Sequence, residues 1–197
     1  MSSQFDTLHS QMLNCGSCDL CHERNQIVFG EGSQTPSILI IGEAPGEEED
    51  TKGVPFVGKA GKKLDGILEY IGVTRDEIFI TNAVLCRPPN NRNPKPDELD
   101  ACKWRLDLQV QLLRPKLIII LGRVAMQQLS GRPIKGAMSQ FFPENVKDGW
   151  LHYRTGEHES LVLVTYHPSY HLRSPERAYK TTLPHWKQVK NWVRDES

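Results

Sequence analysis

The chain has 197 residues, of which 38% are hydrophobic and 24% charged, a length and composition that exclude disordered and fibrous proteins and favour one domain. Its 24 basic residues balance its 24 acidic ones, which argues against a protein that coats nucleic acid through bulk charge. The longest strongly apolar run, residues 117–121, is too short to span a membrane, and residues 1–10 lack the apolar centre of a secretory signal. We therefore expect a single domain over residues 1–197, not bound to membranes and located in the cytoplasm.

Strands and helices are predicted to alternate along the chain. Runs rich in branched apolar residues predict four strands, at residues 37–42, 78–85, 117–121 and 161–166. Because these runs do not alternate with polar residues, they are typical of parallel strands covered on both faces. Helical spacing predicts helices at residues 59–71, 97–113, 124–129 and 184–193. This alternation predicts a three-layer α/β/α sandwich with a central, mostly parallel four-stranded sheet.

Five cysteines suggest a metal centre. Cys15, Cys18 and Cys21 are spaced three apart, Cys86 follows a predicted strand and Cys102 lies on the next predicted helix. Since cytosolic thiols stay reduced, a disulfide framework is not expected. Four thiolates suit either zinc or an iron–sulphur cluster, and the spacing does not decide between the two. The alternative is that the last two cysteines are small buried core residues.

Polar residues follow three of the predicted strands. Residues 42–46 (Gly-Glu-Ala-Pro-Gly) follow the first strand, Asn82 lies near the end of the second, and His167 follows the fourth. Ligands of parallel sheets bind outside the carboxyl ends of the strands, so a carboxylate, an amide and an imidazole are expected to meet at one rim. A lone histidine is more often structural, but one at such a rim is a candidate catalytic residue.

The segment 55–61 (Pro-Phe-Val-Gly-Lys-Ala-Gly) is predicted to begin a helix whose first turns carry positive charge. Its N–H groups and the side chains of Lys59, Lys62 and Lys63 are suited to bind a phosphate. The alternative is an ordinary lysine-rich surface. The four acidic residues at 47–50 are expected to form a solvated face.

Taken in order, these motifs resemble those of the family 4 uracil-DNA glycosylases, the iron–sulphur branch of the uracil-DNA glycosylase superfamily. The resemblance rests on residues 42–46, 55–61, 81–89 and 167–169, and on four of the cysteines. It implies a 4Fe–4S cluster in an N-terminal cluster-binding segment of the domain, which orders loops that face DNA. The implied ligands are Cys15, Cys18, Cys86 and Cys102. Cys21 departs from the family's pattern, since counting back from residues 28–32 places the family's pair at 15 and 18.

The resemblance also implies a monofunctional enzyme of base excision repair. Such an enzyme flips uracil out of single- or double-stranded DNA and hydrolyses its N-glycosidic bond, leaving an abasic site. Phe56 is then expected to stack on the flipped ring and Asn82 to read its O4 and N3–H, because an amide offers both a donor and an acceptor. His167 is expected to stabilise the departing uracil at O2. The pocket is completed by Gly42, Glu43 and Ala44.

The residue that positions the attacking water stays open in this comparison. Other branches of the superfamily use Asp or Asn where this chain has Ala44, which cannot bind water. Glu43 or Glu49 is expected to replace it. Glu49 is also the candidate for excluding thymine, because a tyrosine that does so in another branch corresponds to Gly46.

With no net charge, DNA binding is expected to rest on a local basic patch. Its expected members are Lys59, Lys62, Lys63 and Arg173, and Leu172 is the candidate wedge that fills the gap left by the flipped base. The protein is expected to be a monomer.

Two other functions fit part of the pattern. A uracil-DNA binder that traps DNA covalently carries a reactive histidine in a basic loop, but residues 88–100 contain none. An interaction module of replication proteins, with zinc or a cluster, would not need Phe56, Asn82 and His167 together. The whole set of motifs favours a glycosylase.

Overall fold

A six-stranded sheet with helices on both faces is formed by residues 3–196, which are the residues that this computed structural model describes. The strands are β1 (Glu31–Gly32), β2 (Ile38–Gly42), β3 (Phe79–Asn82), β4 (Leu117–Leu121), β5 (Leu151–Thr155) and β6 (His158–Thr165). The helices are α1 (Gln4–Leu13), α2 (Glu47–Lys52), α3 (Lys59–Ile71), α4 (Pro96–Leu113), α5 (Arg123–Ser130), α6 (Ser169–Arg173) and α7 (Pro175–Glu196).

The four predicted strands form the parallel centre of this sheet. The order is β1-β3-β2-β4-β6-β5, in which β3, β2, β4 and β6 are parallel and the two edge strands are antiparallel to their neighbours. The predicted α/β class is confirmed, but the prediction of four strands is wrong, because the sheet has a further strand at each edge. β1 has only two residues, and β5 is half-buried along its length, so neither presents the continuous apolar run that marks a central strand.

Alternate side chains of each central strand pack on opposite faces of the sheet. In β2, Leu39 and Ile41 pack with the face that carries α1, α4 and α5, whereas Ile38 and Ile40 pack with the face that carries α3 and α7. Each of these buried side chains contributes roughly 1.5–3 kcal/mol relative to an exposed one. The sheet is therefore the middle of three layers.

The helix predicted at residues 184–193 begins much earlier, at Pro175. Proline favours the first turn of a helix, which is why Pro184 resembled a start. In the structure it lies inside α7, where Ala178 on one side of it and Trp186 on the other are both buried. Packing of this long apolar face therefore outweighs the lost backbone hydrogen bond. Between residues 3 and 196, the helices are all too short or too polar to cross a membrane.

Candidate active site

One cleft opens where β2, β3 and β6 end. Its volume is about 460 Å³, and its walls include Glu43, Asn82 and His167, the three polar residues that the strand-end rule selected. Phe56, from the segment before α3, also lines it. The structure therefore brings the predicted carboxylate, amide, imidazole and aromatic ring to one place.

Gly42 and Asn82 are paired in the sheet, and Asn82 lines the floor of the cleft. A Cβ atom at Gly42 would lie 2.3 Å from Asn82 Oδ1 and 2.5 Å from the Phe56 ring, so only glycine leaves room for both side chains. Asn82 is 1% exposed, and its Oδ1 has no hydrogen-bond partner among residues 3–196. Such an unpaired buried acceptor costs about 1–3 kcal/mol, a cost that a ligand in the cleft would remove.

Phe56 is held in a backbone conformation that non-glycine residues rarely adopt. Its φ is 54°, in the left-handed region. Arg75 stabilises this turn by donating from Nη1 to the carbonyl of Pro55 at 3.0 Å and from Nη2 to that of Phe56 at 2.5 Å. On the other side, a Cβ at Gly61 would meet the same Phe56 carbonyl at 1.7 Å. The sequence 55–61 thus fixes the position of one aromatic ring.

His167 stacks on that ring, with the ring centroids 5.5 Å apart. Its Nδ1 lies 3.2 Å from the Ser169 backbone N–H, and because an N–H can only donate, Nδ1 is the acceptor. Burial, with a smaller contribution from Arg173, lowers the pKa of His167 to about 4, against the opposing charge of Glu49. At neutral pH the ring is therefore uncharged and carries its proton on Nε2.

Glu49 is turned inward from the acidic run at 47–50. Its Oε2 accepts from the Gly46 N–H at 3.1 Å, and its Oε1 accepts from the N–H groups of Val57 and Gly58 at 2.9 and 2.8 Å. This carboxylate therefore joins the start of α2 to the start of α3, where its negative charge also suits the helix dipole. Asp50 is likewise buried, and accepts three hydrogen bonds from Asn25. The expected solvated face is therefore only half solvated.

Glu43 differs from Glu49, because within residues 3–196 no backbone N–H donates to its carboxylate. Burial raises the pKa of Glu43, and the nearby Arg173 guanidinium partly offsets this. Arg173 itself lines the cleft, at the end of α6. A carboxylate, a guanidinium and a neutral imidazole thus share one small space.

Residues 88–93 form a wall of the cleft that the sequence analysis did not assign. Pro88, Asn91, Arg92 and Asn93 line it, and Asn90 and Asn91 both have a φ of 53°. The signal was present in the sequence, because asparagines between prolines favour left-handed turns. The Arg92 guanidinium pairs with the buried Glu98 at 2.6 Å, which anchors this wall to α4.

The candidate DNA-binding residues lie on two adjacent helices. Lys59, Lys62 and Lys63 are exposed on the first turns of α3, and Leu172 is 43% exposed on α6, next to Arg173. α3 packs against α6, and the charge of Lys63 is close enough to lower the pKa of His171, whose main perturbation is burial. We call this surface of α3 and α6 the basic ridge.

All five cysteines line a second cavity, on the opposite face of the sheet from α3. The thiols are free, and those of Cys86 and Cys102 are buried. Arg24 donates from Nη1 to the Cys86 sulphur at 3.2 Å. Within the described part of the chain, no three His, Cys, Asp or Glu side chains are grouped closely enough to hold a metal ion.

Several known proteins match most of the length of this chain. The family model described as the Uracil DNA glycosylase superfamily matches residues 29–193. The Type-4 uracil-DNA glycosylase of Sulfurisphaera tokodaii is 40% identical over 173 residues, covering 86% of this chain and 76% of that protein. The protein of the same description from Pyrobaculum aerophilum is 40% identical over 171 residues, with 85% and 84% covered. That from Thermotoga maritima is 34% identical over 196 residues, with 97% and 95% covered. The resemblance seen in the motifs is confirmed, and the chain belongs to the type-4 branch of the uracil DNA glycosylase superfamily.

Proposed function

We propose that this chain is a monofunctional uracil-DNA glycosylase of base excision repair, which flips uracil out of DNA and hydrolyses its N-glycosidic bond. The observation that carries the proposal is the unpaired, buried Asn82 Oδ1 in a cleft that also holds a neutral His167. The relatives named as type-4 uracil-DNA glycosylases support the same activity.

Uracil is the base whose edge suits the Asn82 amide. An amide donates to the O4 carbonyl and accepts from N3–H, whereas cytosine presents the reverse pattern of donor and acceptor. A mismatched base would leave the buried amide unpaired, at a cost of about 1–3 kcal/mol. In this arrangement Phe56 supplies the stacking surface for the extruded ring, which compensates part of the few kcal/mol lost on flipping. Ala44 lines the same cleft, and Gly42 leaves the room that Asn82 and the Phe56 ring occupy.

His167 is suited to stabilise the leaving group. As the glycosidic bond breaks, negative charge develops on uracil, and the Nε2–H is the donor left free by the contact of Nδ1 with Ser169. A neutral imidazole donates this hydrogen bond without the desolvation cost that a buried imidazolium would carry. Positive charge develops on the sugar at the same time, and the Glu43 carboxylate lies in the same cleft.

We propose that Glu43 positions the attacking water and that Glu49 has a structural role. Glu49 already accepts three backbone N–H groups, which occupy three of its roughly four lone-pair sites, whereas no backbone hydrogen bond within residues 3–196 competes with water at Glu43. Its closeness to the cleft keeps it as the candidate for excluding the thymine methyl group.

This assignment predicts a loss of rate for one of two matched substitutions and a loss of stability for the other. Glu43→Gln should lower the single-turnover rate about a hundredfold, the lower end of what a positioned general base contributes, with little change in melting temperature. Glu49→Gln should lower the melting temperature by about 3–10 °C, since an amide oxygen cannot replace both carboxylate oxygens. Calorimetry and rapid-quench kinetics on both variants measure the two effects. A rate loss confined to Glu49→Gln would reverse the assignment.

The protonation of Glu43 sets the expected pH dependence of uracil excision. The active form of Glu43 is the carboxylate, so activity should fall as pH drops through its raised pKa, above the usual value of 4.5. His167 gains a second ring proton only near pH 4, below the pKa of Glu43. The acid limb of the rate profile should therefore disappear in Glu43→Gln and persist in Glu49→Gln.

The basic ridge is proposed to bind the DNA backbone, with Leu172 as the wedge. Lys59→Gln, Lys62→Gln, Lys63→Gln and Arg173→Gln should each weaken binding to uracil-free and uracil-containing DNA alike. Each should reduce the slope of log affinity against log salt by about one unit. Lys116→Gln is the matched control, because Lys116 precedes β4 and so lies at the amino ends of the parallel strands, away from the cleft. Slopes unchanged in all four variants would place the DNA elsewhere.

We propose that Cys15, Cys18, Cys86 and Cys102 bind a 4Fe–4S cluster. The fit is chemical, because the four thiols border one cavity and Cys thiolates are the ligands that hold such clusters. When bound, the cluster would supply a covalent tie between the N-terminal segment and α4. Cys21 borders the same cavity and is the spare thiol.

The remaining assignments concern the protein as a whole. We propose that residues 1–197 act as one domain and one monomer in the cytoplasm, a reducing compartment that suits five free thiols. The substrate is uracil-containing DNA, single- or double-stranded.

The activity itself is tested with an oligonucleotide that carries one uracil. After incubation with the purified protein, alkali should cut the strand at the resulting abasic site, and no cut should appear before alkali. An oligonucleotide with thymine at that position is the control. Binding without any alkali-sensitive site would instead indicate a non-catalytic uracil-DNA binder.

A further inference from the structure

Arg105 is a fully buried cation whose hydrogen bonds all go to uncharged acceptors. It lies on α4 and is 1% exposed. Its Nη1 donates to Gln109 Oε1 at 2.7 Å, and its Nη2 donates to two main-chain carbonyls. A buried charge is costly unless an opposite charge lies nearby, so this guanidinium requires a counter-charge.

The unused donor of Arg105 identifies where that counter-charge belongs. Nε is buried and has no hydrogen-bond partner within residues 3–196. Arg105 borders the cavity that the cysteines line, one helical turn after Cys102. Cys102 and then Cys86 are the side chains whose negative charge, when ionised, acts most strongly on the guanidinium.

The other side of the same guanidinium holds the segment that carries the uracil-reading amide. Nη2 donates to the carbonyl of Asn82 at 3.0 Å and to that of Ala83 at 2.9 Å. These two carbonyls lie at the end of β3, directly behind the cleft. One rigid, planar group therefore spans the distance between the cysteine cavity and the floor of the active site.

We infer that Arg105 is a positioning residue that couples the cysteine cavity to Asn82, with its Nε–H donating to a sulphur of that cavity. The thiolates supply the negative charge that the guanidinium lacks, and the guanidinium in turn fixes the main chain at residues 82–83. The inference rests on the proposed function and on the proposed cluster, and it extends both by giving the cluster an influence on base recognition.

Arg105→Lys tests the coupling, because lysine keeps the charge but loses Nε–H and the fork that holds both carbonyls. The reduction potential of the cluster should fall, since hydrogen bonds to sulphur are among the factors that set it. Affinity for a uracil-containing oligonucleotide should fall roughly tenfold, while affinity for uracil-free DNA stays unchanged. Lys116→Gln, which removes a 61% exposed cation beyond the far end of the same helix, should change neither quantity.

The outcomes separate this inference from the function on which it rests. If wild-type protein holds iron and cleaves uracil-containing DNA, and Arg105→Lys matches it in potential and affinity, the coupling is wrong and the function stands. If wild-type protein holds no iron, the coupling is wrong together with the proposed cluster. If Arg105→Lys does not fold, nitrogen-15 NMR of wild-type arginine side chains decides. One slowly exchanging Nε–H signal should change when the cluster is reduced, and an unchanged set of signals would contradict the coupling.

Discussion

His167→Ala should slow single-turnover excision of uracil by about 10³-fold and change the affinity for uracil-containing DNA by less than about tenfold. The asymmetry follows from the role of the residue, because the charge that it stabilises appears only as the bond breaks. Loss of one such preorganised donor typically costs 10²–10³ in rate. Rapid-quench kinetics and equilibrium binding, measured on the same oligonucleotide, give the two numbers.

Ser169→Ala is the matched control for this experiment. The hydroxyl of Ser169 lies 3.0 Å from His167 Nδ1, but the backbone N–H that fixes the tautomer remains in the variant. The rate should therefore stay within a few-fold of wild type. If His167→Ala cleaved at the wild-type rate, or lost binding and rate in equal measure, the leaving-group role would be wrong.

Cys86→Ser and Cys102→Ser should abolish the cluster and lower the melting temperature, whereas Cys21→Ser should keep both at wild-type values. Cys86 lies four residues after β3 and Cys102 lies on α4; both are buried, so a cluster bound there joins two parts of the core. Metal binding of this kind contributes directly to folding free energy. Iron content, the broad visible absorbance of anaerobically purified protein and calorimetry follow the change.

Two results would contradict the cluster assignment. Colourless, active wild-type protein with stoichiometric zinc would show that the cysteines bind a single ion and not a cluster. Loss of iron in Cys21→Ser, with iron retained in Cys15→Ser, would move one ligand along the N-terminal segment. Neither result would contradict the proposed excision chemistry, because no step of that chemistry uses the cysteines.

The centre of the fold was predictable because burial on both faces leaves a direct mark on the sequence. β4 is five consecutive apolar residues, and its predicted bounds match the structure. The edge strands leave no such mark, since β1 pairs through two residues and β5 exposes every second side chain. Its partner β6 is also longer than predicted, because its first residues belong to that exposed edge.

The site was predictable as far as the strand-end rule reaches. It selected Glu43, Asn82 and His167, which the structure places in one cleft. It could not assign roles to Glu43 and Glu49, since these depend on how a six-residue helix turns its side chains. Arg105 was also out of reach, because a charged residue among the apolar residues of α4 has the same pattern as an exposed one.

The strand order has a consequence for the way the protein is made. Asn82 and His167 meet only after β6 has paired with β4, and β4 with β2. Chains emerge from the ribosome at about 5–20 residues per second, so several seconds separate the synthesis of residue 82 from that of residue 167. Parallel pairing between distant segments adds a further delay. A nascent chain therefore has no complete cleft, and it cannot excise uracil before His167 has been synthesised and β6 has paired with β4.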